Sequence, residues 1–484
     1  MPPVLGALRV CRERLIGDGP AWSLAAYLAF ALSLRLPAVL FADGFSFVDQ
    51  QFQYVDPAWH LATGEAWHQP WEYHRGARSW VYPKFLSEVF RALSWFSLHD
   101  PMWSMRVVRA LHAVASLLPL AMFWMAIVRW HALPSPRVAL TLVAGAGLLV
   151  SFGVQPSGPT LAATLAVTAA LAVQGPRWYP LFAGLCLGFA FCCRFQESLF
   201  GPGLLGVLVW QRRFRGAFLF AAGCLPGIAI QACVDRATYG EYFASVWNYF
   251  ETNVLQGSAS KWAVRPWWYY LAAGVVPAAL FVPPWGRIAW RRFAAGSRLL
   301  PGASVAALTH IAAHSFIARK SLRFEQAAFA MLLAVVAIGI VAARGTVRGV
   351  LADWHRRLLF LVHGALLVHA SFWFGNAGAV RTALTIAADP ARDLPIVVVD
   401  GDATALGGFY YMRPAADRVV GVPRRDLTAQ LQQIAAPDGC LVVAIRDPLD
   451  DALLRERRFA AVGVFTGMFD LSRGDRRFVY RWRG

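Results

Sequence analysis

Long apolar runs, separated by short basic loops or by longer polar ones, set the pattern of this chain. The first run, residues 21–41, is about one bilayer span in length. Others follow at 107–128, 138–153, 158–174, 178–193, 198–210, 216–234, 268–284, 301–318, 324–343 and 358–374. They predict about eleven transmembrane helices, some of them short or broken by Gly and Pro, as at Gly201-Pro202-Gly203. Arg9, Arg12 and Arg14 precede the first run, and no small-residue cleavage site follows it. It reads as a first span with a cytoplasmic N-terminus. After residue 385 the pattern changes. Residues 395–400 and 440–445 are apolar runs of strand length, 427–434 reads as a helix and 477–482 as a last strand. The expected fold is therefore mainly α. Residues 1–384 form a polytopic membrane domain, and 385–484 form a small extracytoplasmic α/β domain.

Between the first two spans lies a loop, residues 42–106, that is polar where a simple connection would be short. It contains Phe47-Val48-Asp49-Gln50-Gln51-Phe52-Gln53-Tyr54-Val55-Asp56-Pro57 and, further on, Trp71-Glu72-Tyr73-His74-Arg75-Gly76-Ala77-Arg78. Asp56-Pro57 reads as a helix start that runs to Gly64. Residues 84–97 place Leu86, Val89, Phe90, Leu93 and Phe96 on one face, as expected of a helix lying in the membrane interface.

Composition excludes a soluble protein: 57% of residues are hydrophobic and 15% charged, against about 25% charged in soluble chains. The net charge of +18 then needs no nucleic acid. With the N-terminus inside, the inner loops hold Arg129 and Arg137, Arg177, Arg212 to Arg215, Arg287 to Arg298, and Arg344 to Arg357. This alternation sets the orientation. The acidic, aromatic and amide-rich loops fall outside. The only lysines are Lys84, Lys261 and Lys320, and this arginine bias, with abundant Ala and Gly, fits a GC-rich bacterial genome. The seven cysteines lie mostly in apolar runs, with no disulfide framework and no CxxC spacing.

Asp49 lies just beyond a span among apolar neighbours. A carboxylate there suits a general base for a sugar hydroxyl, and a helix cap is its other reading. His314, Arg319, Lys320 and Arg323 break the positive-inside pattern. Guanidinium and ammonium groups on the outer side suit a phosphate, with headgroup contact as the alternative. A later loop, with Asp235, Tyr239-Gly240, Asn248, Asn253 and Arg265-Pro266-Trp267, offers rings and amides of the kind that bind sugars. No HExxH, Walker or GxGxxG motif is present, and Asp400-Gly401-Asp402 lacks an EF-hand continuation. Neither a cofactor nor a metal is expected.

Taken in order, these loops resemble one family. Asp49-Gln50-x-Phe52-Gln53, Asp56-Pro57-Ala58, Gly64, Trp71-Glu72-Tyr73, Arg78-Ser79 and Tyr82-Pro83 look like the first lumenal loop of glycosyltransferase family 22. These are multispanning α-mannosyltransferases of lipid-linked oligosaccharides and glycosylphosphatidylinositol anchors. Asp235, Asn248, Asn253, Pro266-Trp267, His314, Lys320 and Arg323-Phe324 continue the likeness, although the family has a more compact His-Lys-Glu-x-Arg-Phe. The likeness spans residues 20–345. It implies a GT-C fold, a polyprenyl-phosphate-linked donor, inversion at the anomeric carbon, and a glycan or glycolipid acceptor. The site implied lies on the extracytoplasmic face of an inner membrane. Asp49 is implied as the base, Arg323, Lys320 and His314 as donor-phosphate ligands, and Gln50, Gln53, Glu72, Arg78, Asn248 and Trp267 as further substrate contacts. The family's His-Pro-Asp-Glu is here Phe47-Val48-Asp49-Gln50, so the histidine and second acid are missing. A transporter of a lipid-linked sugar, or a GT-C enzyme with another sugar, stays open.

Overall fold

A computed structural model gives the structure over residues 22–133, 136–261, 263–273, 286–342, 350–372, 375–388, 394–401, 406, 408–412, 418–434, 439–449, 459–466 and 475–482. The basic N-terminal residues, Arg344, Arg348 and most of the run expected at 268–284 lie outside these.

Among the described residues, three helical stretches have the length and apolarity to cross a bilayer: Leu24–Phe41, Pro101–Trp130 and Phe214–Tyr239. Gly158–Ala172, Tyr179–Cys193 and Gln326–Ala342 are apolar but shorter. The run expected at 138–153 is two helices, Arg137–Ala144 and Gly147–Gly153, because Gly145-Ala146 interrupts it. Helices Tyr179–Cys193 and Phe214–Tyr239 cross in close contact. A Cβ on Gly184 would stand 2.0 Å from the Phe220 carbonyl oxygen, and one on Gly223 2.2 Å from that of Leu181. Lipid tails give helices no hydrophobic reason to associate, so small residues that let backbones touch supply the contact.

The loop 42–106, outer by the sequence expectation, is largely helical. Val48–Gln50 widens into a π-helical turn, Gln51–Val55, whose five residues are all buried. Such turns are rare and recur at functional sites. Helix Asp56–Thr63 follows and stops at Gly64, whose backbone is left-handed. Helix Val81–Trp95 packs Tyr82, Leu86, Phe90 and Leu93 inward and exposes the Glu88–Arg91 pair. It ends one residue before Phe96, which therefore points outward rather than joining the buried face.

The C-terminal part is a five-stranded sheet of β1 (Ile396–Val399), β2 (Val419–Val422), β3 (Cys440–Ile445), β4 (Phe459–Phe465) and β5 (Arg477–Trp482), in the order β2-β1-β3-β5-β4. β1 runs parallel to β2 and β3, and β5 antiparallel to β3 and β4. The strands expected near 395–400, 440–445 and 477–482 are present, as is helix Leu427–Ile434. β2 and β4 had no clear apolar signature, since both carry a glycine and half-exposed positions.

This sheet and the outer loop share one core. Phe45, Tyr54, Val55, Tyr82 and Phe90 pack with Ile396, Val398, Leu406, Tyr410 and Tyr411. Asp56 joins the two parts. Its buried carboxylate accepts from Gln51 Nε2 at 2.7 Å and from the Tyr410 backbone N–H at 3.0 Å. It is therefore a tether rather than the helix cap that Asp56-Pro57 suggested. Gly408, with φ of +81°, makes the approach possible, since a Cβ there would lie 2.5 Å from Asp56 Oδ2. Gly408→Ala should lower the thermal unfolding midpoint of the whole protein, with about 1–2 kcal/mol of cost from the left-handed backbone alone. An unchanged midpoint would show that this contact does not hold the two parts together.

Candidate active site

A cleft of about 200 Å³ opens where the outer loop meets the ends of the membrane helices. Phe47, Asp49, Gln50, Gln53 and Tyr54 line it from the turn at 48–55, and Trp71, Glu72 and Arg78 from the rest of the outer loop. Opposite stand Arg194, Arg319, Arg323 and Phe324, and Tyr249 and Asn253 close the rim. The start of helix Gly158–Ala172 forms part of the wall through Ser157, Pro159 and Thr160. Its N-terminal dipole adds positive potential there.

Asp49 and Arg323, far apart in sequence, meet here. Arg323 Nη1 lies 2.7 Å from Asp49 Oδ2, and the side chains are 21% and 38% exposed. The Phe324 ring organises the cations: the guanidinium carbons of Arg194, Arg323 and Arg319 lie 5.1, 5.3 and 5.8 Å from its centroid. A ring face attracts each cation and lets three of them gather where bare guanidiniums would repel. Residues 318–320 pair in extended conformation with 263–265, through Arg265 N to Ala318 O and Lys320 N to Ala263 O, both 3.2 Å. An extended segment sends alternate side chains to opposite sides. Arg319 faces the cleft and Lys320 turns away, buried, its ammonium donating to the Ile317 carbonyl.

Glu72 is held from two sides. Gln53 Nε2 donates to its Oε1 at 2.6 Å, and Arg78 Nη2 lies 3.8 Å away. Burial pushes the Glu72 carboxyl above the usual carboxylate range, while Arg78 pulls it down. Arg78 also donates to Gln53 Oε1 and to Tyr54 Oη. Gln50 occupies the position of the family's second acid, and its Oε1 accepts from Ser46 N at 3.3 Å. Further back, Tyr239 Oη donates to the Arg78 carbonyl, and the Ser79, Gln231, Asp235 and Ser245 side chains form a buried chain. Asp235 and Tyr239 thus fasten the outer loop to helix Phe214–Tyr239.

The cleft therefore gathers Asp49, Gln50, Gln53, Glu72, Arg78 and Arg323 from the expected set. It leaves out Lys320, His314, Asn248 and Trp267. His314 Nδ1 instead donates to Glu325 at 2.6 Å, and His310 Nδ1 to the same carboxylate at 2.8 Å, all three buried. These groups lie close enough to share a metal ion, but two Nδ1–H donors already satisfy both carboxylate oxygens. Asn248 Nδ2 reaches the Gly76 carbonyl at 3.4 Å, and Trp267 is 65% exposed away from the cleft. Arg194 is a cleft arginine that the sequence reading did not name, and Arg319, counted in the outer basic cluster, was given no role by the resemblance. Arg319 was discoverable: laying His-Lys-Glu-x-Arg-Phe back from Arg323-Phe324 puts Arg319, not His314, at its first position. Buried Glu197 lies 3.1 Å from Arg194, its carboxyl pushed up to about 7 by burial against the pull of Arg194.

The model of the Alg9-like mannosyltransferase family matches residues 26–385. The chain belongs to that family. Its fold is accordingly of the GT-C type, multi-pass in a membrane. A curated relative, GPI mannosyltransferase 3 of Drosophila melanogaster, is 23% identical over 255 residues, which are 50% of this chain and 43% of the fly protein. The chain thus matches less than half the length of that relative. Two crystal structures of ArnT from Cupriavidus metallidurans, one apo and one bound to undecaprenyl phosphate, share the fold. Their TM-scores are 0.59 and 0.56 and their identities 16% and 14%, over 94% of this chain and 97% of theirs.

Proposed function

We propose that this protein moves a sugar, mannose, from a polyprenyl-phosphate donor to a hydroxyl of a glycan or glycolipid on the extracytoplasmic face of an inner membrane. The observation that carries the reading is the pairing of one carboxylate, Asp49, with a cluster of arginines across a cleft at the membrane helix ends. Asp49 takes the proton of the acceptor hydroxyl as that oxygen bonds to the anomeric carbon. The bond from that carbon to the phosphate oxygen breaks, and its electron pair leaves with the polyprenyl phosphate. One displacement inverts the anomeric centre. The phosphate needs no proton in order to leave, so one base is enough, unlike the two carboxylates of a glycosidase. Negative charge on the phosphate grows as it departs, and fixed guanidiniums stabilise it. Gln53, Glu72 and Arg78 are placed to bind sugar or acceptor hydroxyls.

A narrow apolar pocket beside the cleft supports a lipid-linked donor. It shares Thr160 and Gln326 with the cleft and runs between helices, lined by Leu120, Leu149, Val167 and Ala330 among others. A prenyl tail entering it would leave its phosphate among the arginines.

The test is purified protein in nanodiscs with polyprenyl-phosphate-mannose and a panel of acceptors. Release of polyprenyl phosphate in equal amount to a new glycosidic bond is the expected result. Binding or translocation of the lipid with no glycosidic bond would make the protein a carrier, and transfer only from another sugar donor would correct the sugar.

A further inference from the structure

Three of the four cleft arginines already have an acidic partner. Arg78 stands 3.8 Å from Glu72, Arg194 3.1 Å from Glu197, and Arg323 2.7 Å from Asp49. Arg319 has no carboxylate within ion-pair distance among the described residues and only feels Glu72 from further off, yet its side chain lines the cleft and its backbone is held by the pairing with Val264. The candidate base is thus ion-paired to a candidate phosphate ligand, while a second cation beside the same Phe324 ring is left for an anion.

We propose that Arg319 is the first anchor of the donor phosphate, and that this phosphate draws Arg323 off Asp49, so that the base is released only when the donor is bound. The proposal rests on the glycosyl-transfer reading and adds an order to it. A carboxylate oxygen held by a guanidinium is not open to an acceptor hydroxyl. A phosphate seated on Arg319 competes for the Arg323 fork, whose planar donors suit phosphate oxygens as well as a carboxylate. After Asp49 has taken the acceptor proton it is neutral and no longer competes, so Arg323 stays with the departing phosphate. Asp49 then passes its proton to water, and the pair re-forms and helps to expel the product.

The experiment measures affinity for polyprenyl phosphate, alone and in nanodiscs, in a double-mutant cycle. Asp49→Asn removes the intramolecular competitor and should tighten binding roughly two- to fivefold, the range of a partly exposed ion pair. In an Arg323→Ala background the same change should give no gain. Arg319→Ala should weaken binding roughly tenfold or more in both wild type and Asp49→Asn. Arg319→Lys, which keeps the charge, is the companion variant should the alanine lower the folded yield, and it should fall between the two. Unchanged or weaker binding in Asp49→Asn overturns the release step. A gain that persists without Arg323 also overturns it, since plain repulsion by Asp49 would then suffice. Full affinity in Arg319→Ala removes the anchor. Sugar transfer by the wild type, measured separately, decides the function itself whatever the cycle shows.

Discussion

Asp49→Asn is expected to cut sugar transfer by about 100-fold or more, the usual worth of a positioned general base. The amide keeps the side chain's shape and can still face Arg323, so folded yield should match the wild type. Binding of the donor lipid should survive, because the arginines that hold its phosphate are intact. Turnover under saturating donor and acceptor is the measurement, with donor affinity recorded on the same preparations. Near-normal turnover would remove Asp49 from the chemistry, and no other carboxylate in the cleft holds an equivalent place. Glu72 is the nearest alternative, but Gln53 and Arg78 already hold it.

Arg323→Lys is expected to behave as a severe change although the charge is kept. Lysine offers a point charge where arginine offers a planar fork that grips two oxygens at once. A charge-assisted contact contributes about 1.5–3 kcal/mol, so donor affinity should fall roughly ten- to a hundredfold. If Arg323 only met lipid headgroups, lysine would serve equally well. Affinity in Arg323→Lys would then equal that of wild type, and Arg323→Ala would mainly reduce folded protein. Comparing both variants at matched folded yield separates the two roles.

Part of the site was legible along the chain because its chemistry breaks local rules. Asp49 sits beside apolar neighbours at a span end, and Arg319 to Arg323 break the alternation of basic loops that the orientation rule predicts. Their meeting at 2.7 Å was not legible, since it depends on how two segments 274 positions apart in the numbering, 49 and 323, are folded together. His314 shows the reverse error. It is near Arg323 in sequence, but a helical turn sets it beside His310 and over Glu325, away from the cleft. Lys320 was misplaced for a simpler reason: an extended segment points its neighbours in opposite directions.

By itself the sequence determined the membrane class, most of the helices and the strands β1, β3 and β5. These are local properties, because a bilayer demands a set length of apolar helix and a buried central strand demands a continuous apolar run. Only the tertiary structure decided which polar groups share the cleft. It alone revealed the π-helical turn that carries Gln53 and Tyr54 to the cleft, the tether from Asp56 to Tyr410, and the lack of a close ion pair for Arg319 among the described residues. Those features are set by partners distant in the chain. A buried polar group takes whichever partner the packing brings within hydrogen-bonding distance, and nothing in its own neighbourhood says which that will be.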